Sequence, residues 1–277
     1  MSITRLSQGV DASGSLLAEA MERTFRVLRR YRDACDDAGV ERGLLVATSA
    51  VRDATNGATF LDGARDIAGF DAKILSGAEE AAYSFAGATR DLDDAATPTM
   101  IVDIGGGSTE LAFELRGELV SYSMQLGCVR VTERSLGRGV VTTASDDATT
   151  AMIESALDEA FAAVPAFDEA VGNVRLVGLA GTVATLAQLD ARVTDYDRDV
   201  VHHRILSRAC VQHWRDLLAH ETPDERLRHP GMVLGREDVL PAGLYVLDAV
   251  MSRFNVRQLL SSENDILDGI TGALARP

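Results

Sequence analysis

The stretch "IVDIGGGSTEL", residues 101 to 111, constrains this chain more than any other. An apolar run carries an aspartate near its end, three glycines follow, and two hydroxyls and a glutamate lead into a second apolar run. Three successive glycines remove every Cβ from the turn. Its backbone N–H groups are then open to an anion, and Ser108 and Thr109 add hydroxyl donors. Asp103 before the turn and Glu110 after it flank the same place. Paired carboxylates beside a phosphate loop suit Mg²⁺, which binds through one or two carboxylates plus phosphate oxygens. The pattern is neither GxxxxGK[ST] nor GxGxxG, because it lacks the lysine and a strand rather than a helix follows. A ligand-free hairpin turn is the alternative meaning of GGG alone. The flanking Asp, the Ser-Thr-Glu and a second glycine turn, "GLAGT" at 178 to 182 with Gly181 and Thr182, favour phosphate.

The organisation around that turn is α/β. "SLLAEAMERTFRVLRRYRDAC" (15 to 35) has apolar residues at three- and four-residue steps, which predicts an amphipathic helix. "GLLVATSAV" (43 to 51) predicts a buried strand with polar residues at its C-terminal end. "AKILSGAEEAAYSFAGATRDL" predicts a strand ending at Leu75, a Ser76-Gly77 turn and a helix from about Ala78. "DLDDAATPT" (91 to 99) is acidic, small and closed by proline, so it reads as the linker between two domains. The quoted strand continues through the Arg116-Gly117 turn as an antiparallel meander. A helix over about 146 to 163 follows, then "VRLVGLAGTVATLAQLD" as strand, glycine turn and helix. "HHRILSRACVQHWRDLLAH" and "GREDVLPAGLYVLDAVMSRF" predict helices, "QLLSS" a last strand and "ENDILDGITGALA" a closing helix.

Charge and cysteine content exclude several classes. Across 277 residues, 27 Lys and Arg against 42 Asp and Glu leave a net charge of −15, which argues against a nucleic-acid or membrane-surface binder. An anionic ligand must therefore meet a local basic patch. Arg23, Arg26 and Arg30, three and four residues apart, are one such candidate track, with "RLRH" (226 to 229) as an extension; a solvated face pairing with Glu19, Glu22 and Asp33 is the plainer reading. Cys35, Cys128 and Cys210 form no CxxC pattern, so a reducing cytoplasm is the expected location. His202 and His203 are adjacent and have no cysteine near them, so their spacing does not argue for zinc. No segment has the length and apolarity of a membrane span.

Seven segments together resemble the exopolyphosphatase and guanosine pentaphosphate phosphatase (Ppx/GppA) family, of the superfamily that includes actin and the sugar kinases. They are "VATSAVRDATNG" (46 to 57), "ILSGAEEAAYSFAGA" (74 to 88), "IVDIGGGSTEL", "QLGCVRVTERSL" (125 to 136), "GLAGTVATLA", "GREDVLPAG" (235 to 243) and "SSENDILDGI" (261 to 270), in family order. The resemblance implies an actin-like, ribonuclease H-like fold of two α/β domains around a cleft, each with a five-stranded mixed sheet. It divides the chain into residues 1–96 with 265–277, and 97–264. It implies Mg²⁺ at Asp103 and Glu110, phosphate at Gly105, Gly106, Gly107, Ser108 and Thr109, and a second-domain lining at Gly181 and Thr182. Glu80 matches the family's proposed general base and Arg52 a phosphate-contacting arginine. The implied substrates are inorganic polyphosphate or pppGpp, with a homodimer as one assembly open to it.

Family members open with a strand and a loop of the form D-x-G-T/S-N-S, whereas this chain starts at Met1-Ser2-Ile3 with neither. The resemblance thus implies a first domain lacking its first hairpin and first phosphate loop. Two readings follow: a Mg²⁺-dependent phosphatase whose true chain begins upstream, or a catalytically weak polyphosphate- or nucleotide-binding protein. A sugar kinase lacks support, since no sugar-binding motif is evident.

Overall fold

The computed structural model describes residues 2–93 and 97–275. Two compact units emerge, one running to Glu80 and resuming at Ile270, the other spanning Ala81–Gly269. The division falls inside helix Gly77–Thr89, ahead of the acidic linker, whose residues 94–96 lie outside the described residues.

In the smaller unit, strands β1 (Leu44–Ala47) and β2 (Asp71–Ile74) pair in parallel. Helices Ala18–Asp37 and Gly57–Ala68 pack together through Phe25 and Phe60, whose rings stack at 5.2 Å. Val10, Leu16, Val51, Phe60 and Ala64 are buried beneath them. Among the described residues this sheet has two strands, where the family resemblance implied a larger one.

The larger unit holds a six-stranded mixed sheet. Its strands are β3 (Thr99–Ile104), β4 (Thr109–Leu115), β5 (Glu118–Met124), β6 (Arg175–Leu179), β7 (Ile205–Ser207) and β8 (Gln258–Ser261), in spatial order β5-β4-β3-β6-β8-β7. The meander β3-β4-β5 is antiparallel and β3, β6 and β8 are parallel. β7 is an edge strand that the sequence had assigned to a helix. It is three residues long, too short for any alternation to show, and Ser207 ends it by capping helix Arg208–Ala219, its side chain accepting from the Cys210 N–H.

Strand alternation sends β3 side chains to two different layers. Met100, Val102 and Ile104 join the main core with Phe113, Phe167 and Phe254. Ile101 joins a smaller layer with Ala81, Ala88, Ala112, Val177 and Leu179. Asp103, two residues after Ile101, lies on that second face. Helix Gly77–Thr89 covers the layer with small residues at Ala81, Ser84 and Ala88, the spacing of one helical face.

That helix also meets helix Ile266–Leu274 at near backbone contact. A Cβ at Gly87 would lie 1.9 Å from the Asp265 carbonyl oxygen, and one at Gly269 would lie 2.0 Å from that of Tyr83. Backbone atoms cannot rotate away as a side chain would. Gly269→Ala is therefore expected to destabilise the protein by at least about 1–3 kcal/mol in urea unfolding, the usual cost of overpacking. Gly272→Ala, in the same helix with nothing within 4 Å of its would-be Cβ, is expected to cost nothing.

Candidate active site

The glycine turn is shaped by what its carbonyls do. The Gly105 carbonyl accepts from the Cys128 amide at 2.9 Å, that of Gly106 from the Val129 and Arg130 amides at 3.0 and 3.1 Å, and that of Gly107 from Arg130 Nε at 2.7 Å. Helix Cys128–Val131 thus spends its otherwise unpaired first N–H groups on the loop. All three glycine carbonyls are drawn to one partner. The amides of Gly106, Gly107 and Ser108 donate to no described group, which leaves three main-chain donors unspent in a turn without side-chain bulk. Gly127 makes the contact possible, since a Cβ there would lie 2.2 Å from the Gly106 carbonyl carbon. Thr109 is different. Its hydroxyl is fully buried and donates to the Leu126 carbonyl, so its side chain braces the loop.

Asp103 and Glu110 face each other directly across the β3–β4 ladder. Residues opposed in this way point to the same face, and like charges so placed repel. Both side chains are buried. Asp103 Oδ2 accepts from Ser84 Oγ at 2.7 Å, and Glu110 Oε1 accepts from Ser123 Oγ at 2.6 Å. Burial pushes the Asp103 carboxyl up to about 6, with Asp265 adding to the rise and the Ser84 hydroxyl opposing it. Two buried, opposed carboxylates, each accepting from a serine hydroxyl, offer oxygen donors of the kind a hard cation takes, so this donor set fits Mg²⁺.

The second glycine turn supports a different group from the one expected. Ala180, with φ of 61°, turns β6 into helix Ala180–Ala191. The place where a Cβ of Gly181 would stand is occupied by the Arg236 guanidinium, 1.8 Å from that point at its nearest atom. Gly181 is thus the seat of an arginine. Arg236 stands near Cys128 and Glu263, and burial works against its charge while those two groups favour it. Thr182 beside it has a buried hydroxyl turned toward the Cys128 thiol. Arg236 brings a cation to the region of the glycine loop, and it lies in the already quoted "GREDVLPAG", the signal that sequence reasoning passed over.

In the smaller unit, Arg52 and Glu80 are joined. Arg52 Nη1 lies 3.2 Å from Glu80 Oε2 and donates to the Leu75 carbonyl at 2.7 Å. Glu79 and Glu80, alike in sequence, have different tasks. Glu79 accepts from the Ser76 amide at 2.9 Å while the Ser76 hydroxyl accepts from the Glu79 amide at 3.2 Å, a capping box closing the helix start. Hydrogen bonds from Lys73 and Ser76 hold the Glu79 carboxyl down at about 2. Glu80 is the buried member of the pair.

Two members of the candidate basic track have structural tasks. Arg23 clasps the N-terminal segment, donating to the Thr4 carbonyl at 3.0 Å and to Gln8 Oε1 at 3.1 Å. Arg226 is 1% exposed and donates to the carbonyls of Leu218, Arg138, Glu237 and Gly139. It fixes the main chain next to Arg236 and is closed to a polyanion.

Comparison with known proteins assigns the chain to a family. The profile of the Ppx/GppA phosphatase family matches residues 1–272. The chain belongs to the Ppx/GppA phosphatase family. It is 36% identical to exopolyphosphatase 2 of Mycobacterium tuberculosis over 283 aligned positions, covering 99% of this chain and 87% of the relative. Among solved Ppx/GppA structures, an exopolyphosphatase-like protein superposes with a TM-score of 0.93 at 32% identity, covering 99% of this chain and 88% of that one. The Ppx/GppA enzyme of Aquifex aeolicus gives 0.78 at 27% identity, covering 98% and 88%. The α/β fold expected of the family is the one the chain adopts, and no described helix is long and apolar enough to cross a membrane.

The raised Asp103 carboxyl has a testable sign. An acid whose folded-state pKa is about 6 against an ordinary 3.8 binds more protons folded than unfolded between those values, so stability falls as pH rises through that window. In EDTA, Asp103→Asn is expected to gain on the wild type by roughly 2–3 kcal/mol between about pH 4 and pH 7 in paired denaturant titrations. A pH-independent difference between the two proteins would show that Asp103 titrates normally.

Proposed function

We propose that the protein is a Mg²⁺-dependent phosphoanhydride hydrolase of the exopolyphosphatase type, releasing terminal orthophosphate from inorganic polyphosphate, with pppGpp as a second substrate of the same chemistry. The observation that carries this reading is the glycine loop itself, with its carbonyls spent, three amides unspent and two opposed carboxylates on the strands it joins. A phosphoryl group needs fixed donors around its oxygens and a carboxylate-held cation beside them. The amides of Gly106, Gly107 and Ser108 supply the donors. Arg236, seated on Gly181, adds a positive charge from the second turn. Asp103 and Glu110 would hold Mg²⁺, whose charge would offset that of the phosphoryl oxygens. The relative from M. tuberculosis carries the name exopolyphosphatase, which supports the same substrate class here.

Glu80 is the base in this reading. Water attacking a phosphorus centre must be oriented and must lose a proton, and a buried carboxylate held by an arginine suits both tasks. Arg52 holds Glu80 through Oε2 and so fixes the orientation of the carboxylate. With Glu79 committed to the helix cap, the two adjacent glutamates do not compete for the role.

Two experiments test the proposal. Glu80→Gln is expected to lower kcat for phosphate release from long-chain polyphosphate by roughly 10²–10⁴ with little change in KM, as loss of a group acting in the transition state requires. An unchanged kcat with a raised KM would make Glu80 a binding residue instead. Gly181→Ala and Arg236→Met are expected to weaken polyphosphate binding to a similar degree, and the double variant to bind no more weakly than either, because both remove the same guanidinium. Additive losses in calorimetry would separate the glycine from the arginine.

A further inference from the structure

The adjacent histidines that spacing alone set aside meet a third group in the fold. Asp91 Oδ2 lies 2.9 Å from His202 Nε2, and Asp91 Oδ1 lies 3.6 Å from His203 Nε2. The ligand atoms of the three residues all fall within 4.8 Å of one another. The two imidazoles stack, with centroids 3.8 Å apart and planes 26° from parallel.

The histidines are not equivalent. His202 Nδ1 accepts the Glu263 amide at 3.0 Å, so the proton of the neutral ring sits on Nε2 and is donated to Asp91 Oδ2. That tautomer denies His202 Nε2 to a metal. It makes His202 a fixed donor that holds the carboxylate in one orientation. His203 has its amide tied to the Ser261 carbonyl at 2.7 Å, while its Nε2 is sealed from solvent without a hydrogen-bond partner. The separation of 3.6 Å between that nitrogen and Asp91 Oδ1 is too long for a hydrogen bond. Metal bonds of ~2.0–2.2 Å set at the tetrahedral angle hold two ligand atoms roughly 3.4 Å apart.

We propose that His203 Nε2 and Asp91 Oδ1 together bind a divalent cation of the Zn²⁺ type, with His202 steadying the carboxylate through its other oxygen and water completing the coordination. Imidazole beside carboxylate selects Zn²⁺ over Mg²⁺ and Ca²⁺. Burial, with the neighbouring His202, lowers the His203 pKa and keeps the ring neutral as a ligand must be, and Asp91 opposes that shift. Arg198 and Arg175 also face His203 with positive charge. Their guanidiniums bond to Asn264 Oδ1 and Thr99 Oγ1, and they make the site one of exchangeable rather than permanent metal. Occupancy would fasten the segment before β7 to Asp91, on the chain just past helix Gly77–Thr89. This site shares no ligand with Asp103 and Glu110, and its fate is independent of the hydrolase reading.

The test is a calorimetric titration of metal-stripped protein with Zn²⁺, in an Asp103→Asn background that silences the other carboxylate pair. One saturable site per chain is expected. His203→Ala and Asp91→Asn should each abolish it, with circular dichroism unchanged. His202→Phe, which keeps the ring stack and loses the donor, should weaken it by ~10–100-fold, the usual effect of removing a group that orients a ligand. Co²⁺ in place of Zn²⁺ should give visible absorption bands that vanish in the same variants. Absence of saturable Zn²⁺ binding, or a site unchanged in both His203→Ala and Asp91→Asn, would overturn the proposal.

Discussion

The opposition of Asp103 and Glu110 across one rung of the β3–β4 ladder is the constraint around which the larger unit is arranged. A sheet of period two offers no way to turn one carboxylate aside without moving every neighbour to the wrong face. The fold therefore keeps both on the inner face and surrounds them with small groups. Ser84 reaches Asp103 from the covering helix, and Ser123 reaches Glu110 from the next strand. The helix can lie close enough for Ser84 because small residues, Ala81 and Ala88, flank that serine on its face and glycines line its crossing with helix Ile266–Leu274. Small residues across three elements thus follow from two charges on one rung.

Much of this was legible in the sequence because it was carried by local signals. The meander was written in the apolar runs of β3 and β4 and in Arg116-Gly117, whose φ values of 56° and 84° bear out the turn. Helix Thr143–Ala163 and the strand–turn–helix at "GLAGT" likewise followed from period and punctuation. The flanking carboxylates of the glycine loop were legible as a motif. Their placement opposite one another is a consequence of register, and register belongs to the pair of strands rather than to either segment.

What sequence reasoning missed shares a physical cause, namely dependence on a partner distant in the chain. The role of Gly181 depends on Arg236, and the burial of Arg226 on four carbonyls from three separate segments. Asp91 reaches His202 across 111 positions of sequence. Edge strand β7 exists only because β8 offers it a ladder. The glutamate pair is the instructive exception. Ser76-Gly77-Ala78-Glu79 is a complete S-x-x-E capping box, so the separation of a capping Glu79 from a buried Glu80 was present in the sequence as a local signal.

Under the proposed function, a net charge of −15 sharpens the problem of holding a polyanion, and main chain would have to answer it as much as side chains. Many arginines are taken up by carboxylates: Arg204 by Asp190, Arg208 and Arg215 by Asp248, Arg32 by Asp36. A guanidinium so paired offers little long-range attraction. Besides Arg236, the groups that would remain effective toward phosphate are those whose positive end cannot be neutralised by a passing carboxylate, namely backbone amides fixed in a turn and the first N–H groups of a helix. In this protein the second kind supports the first, because the N-terminus of helix Cys128–Val131 binds the loop carbonyls and thereby sets the direction of the loop amides. An acidic protein can then bind an anion without a basic surface, because the polarity that matters is generated within a few residues and is insensitive to the charge of the rest.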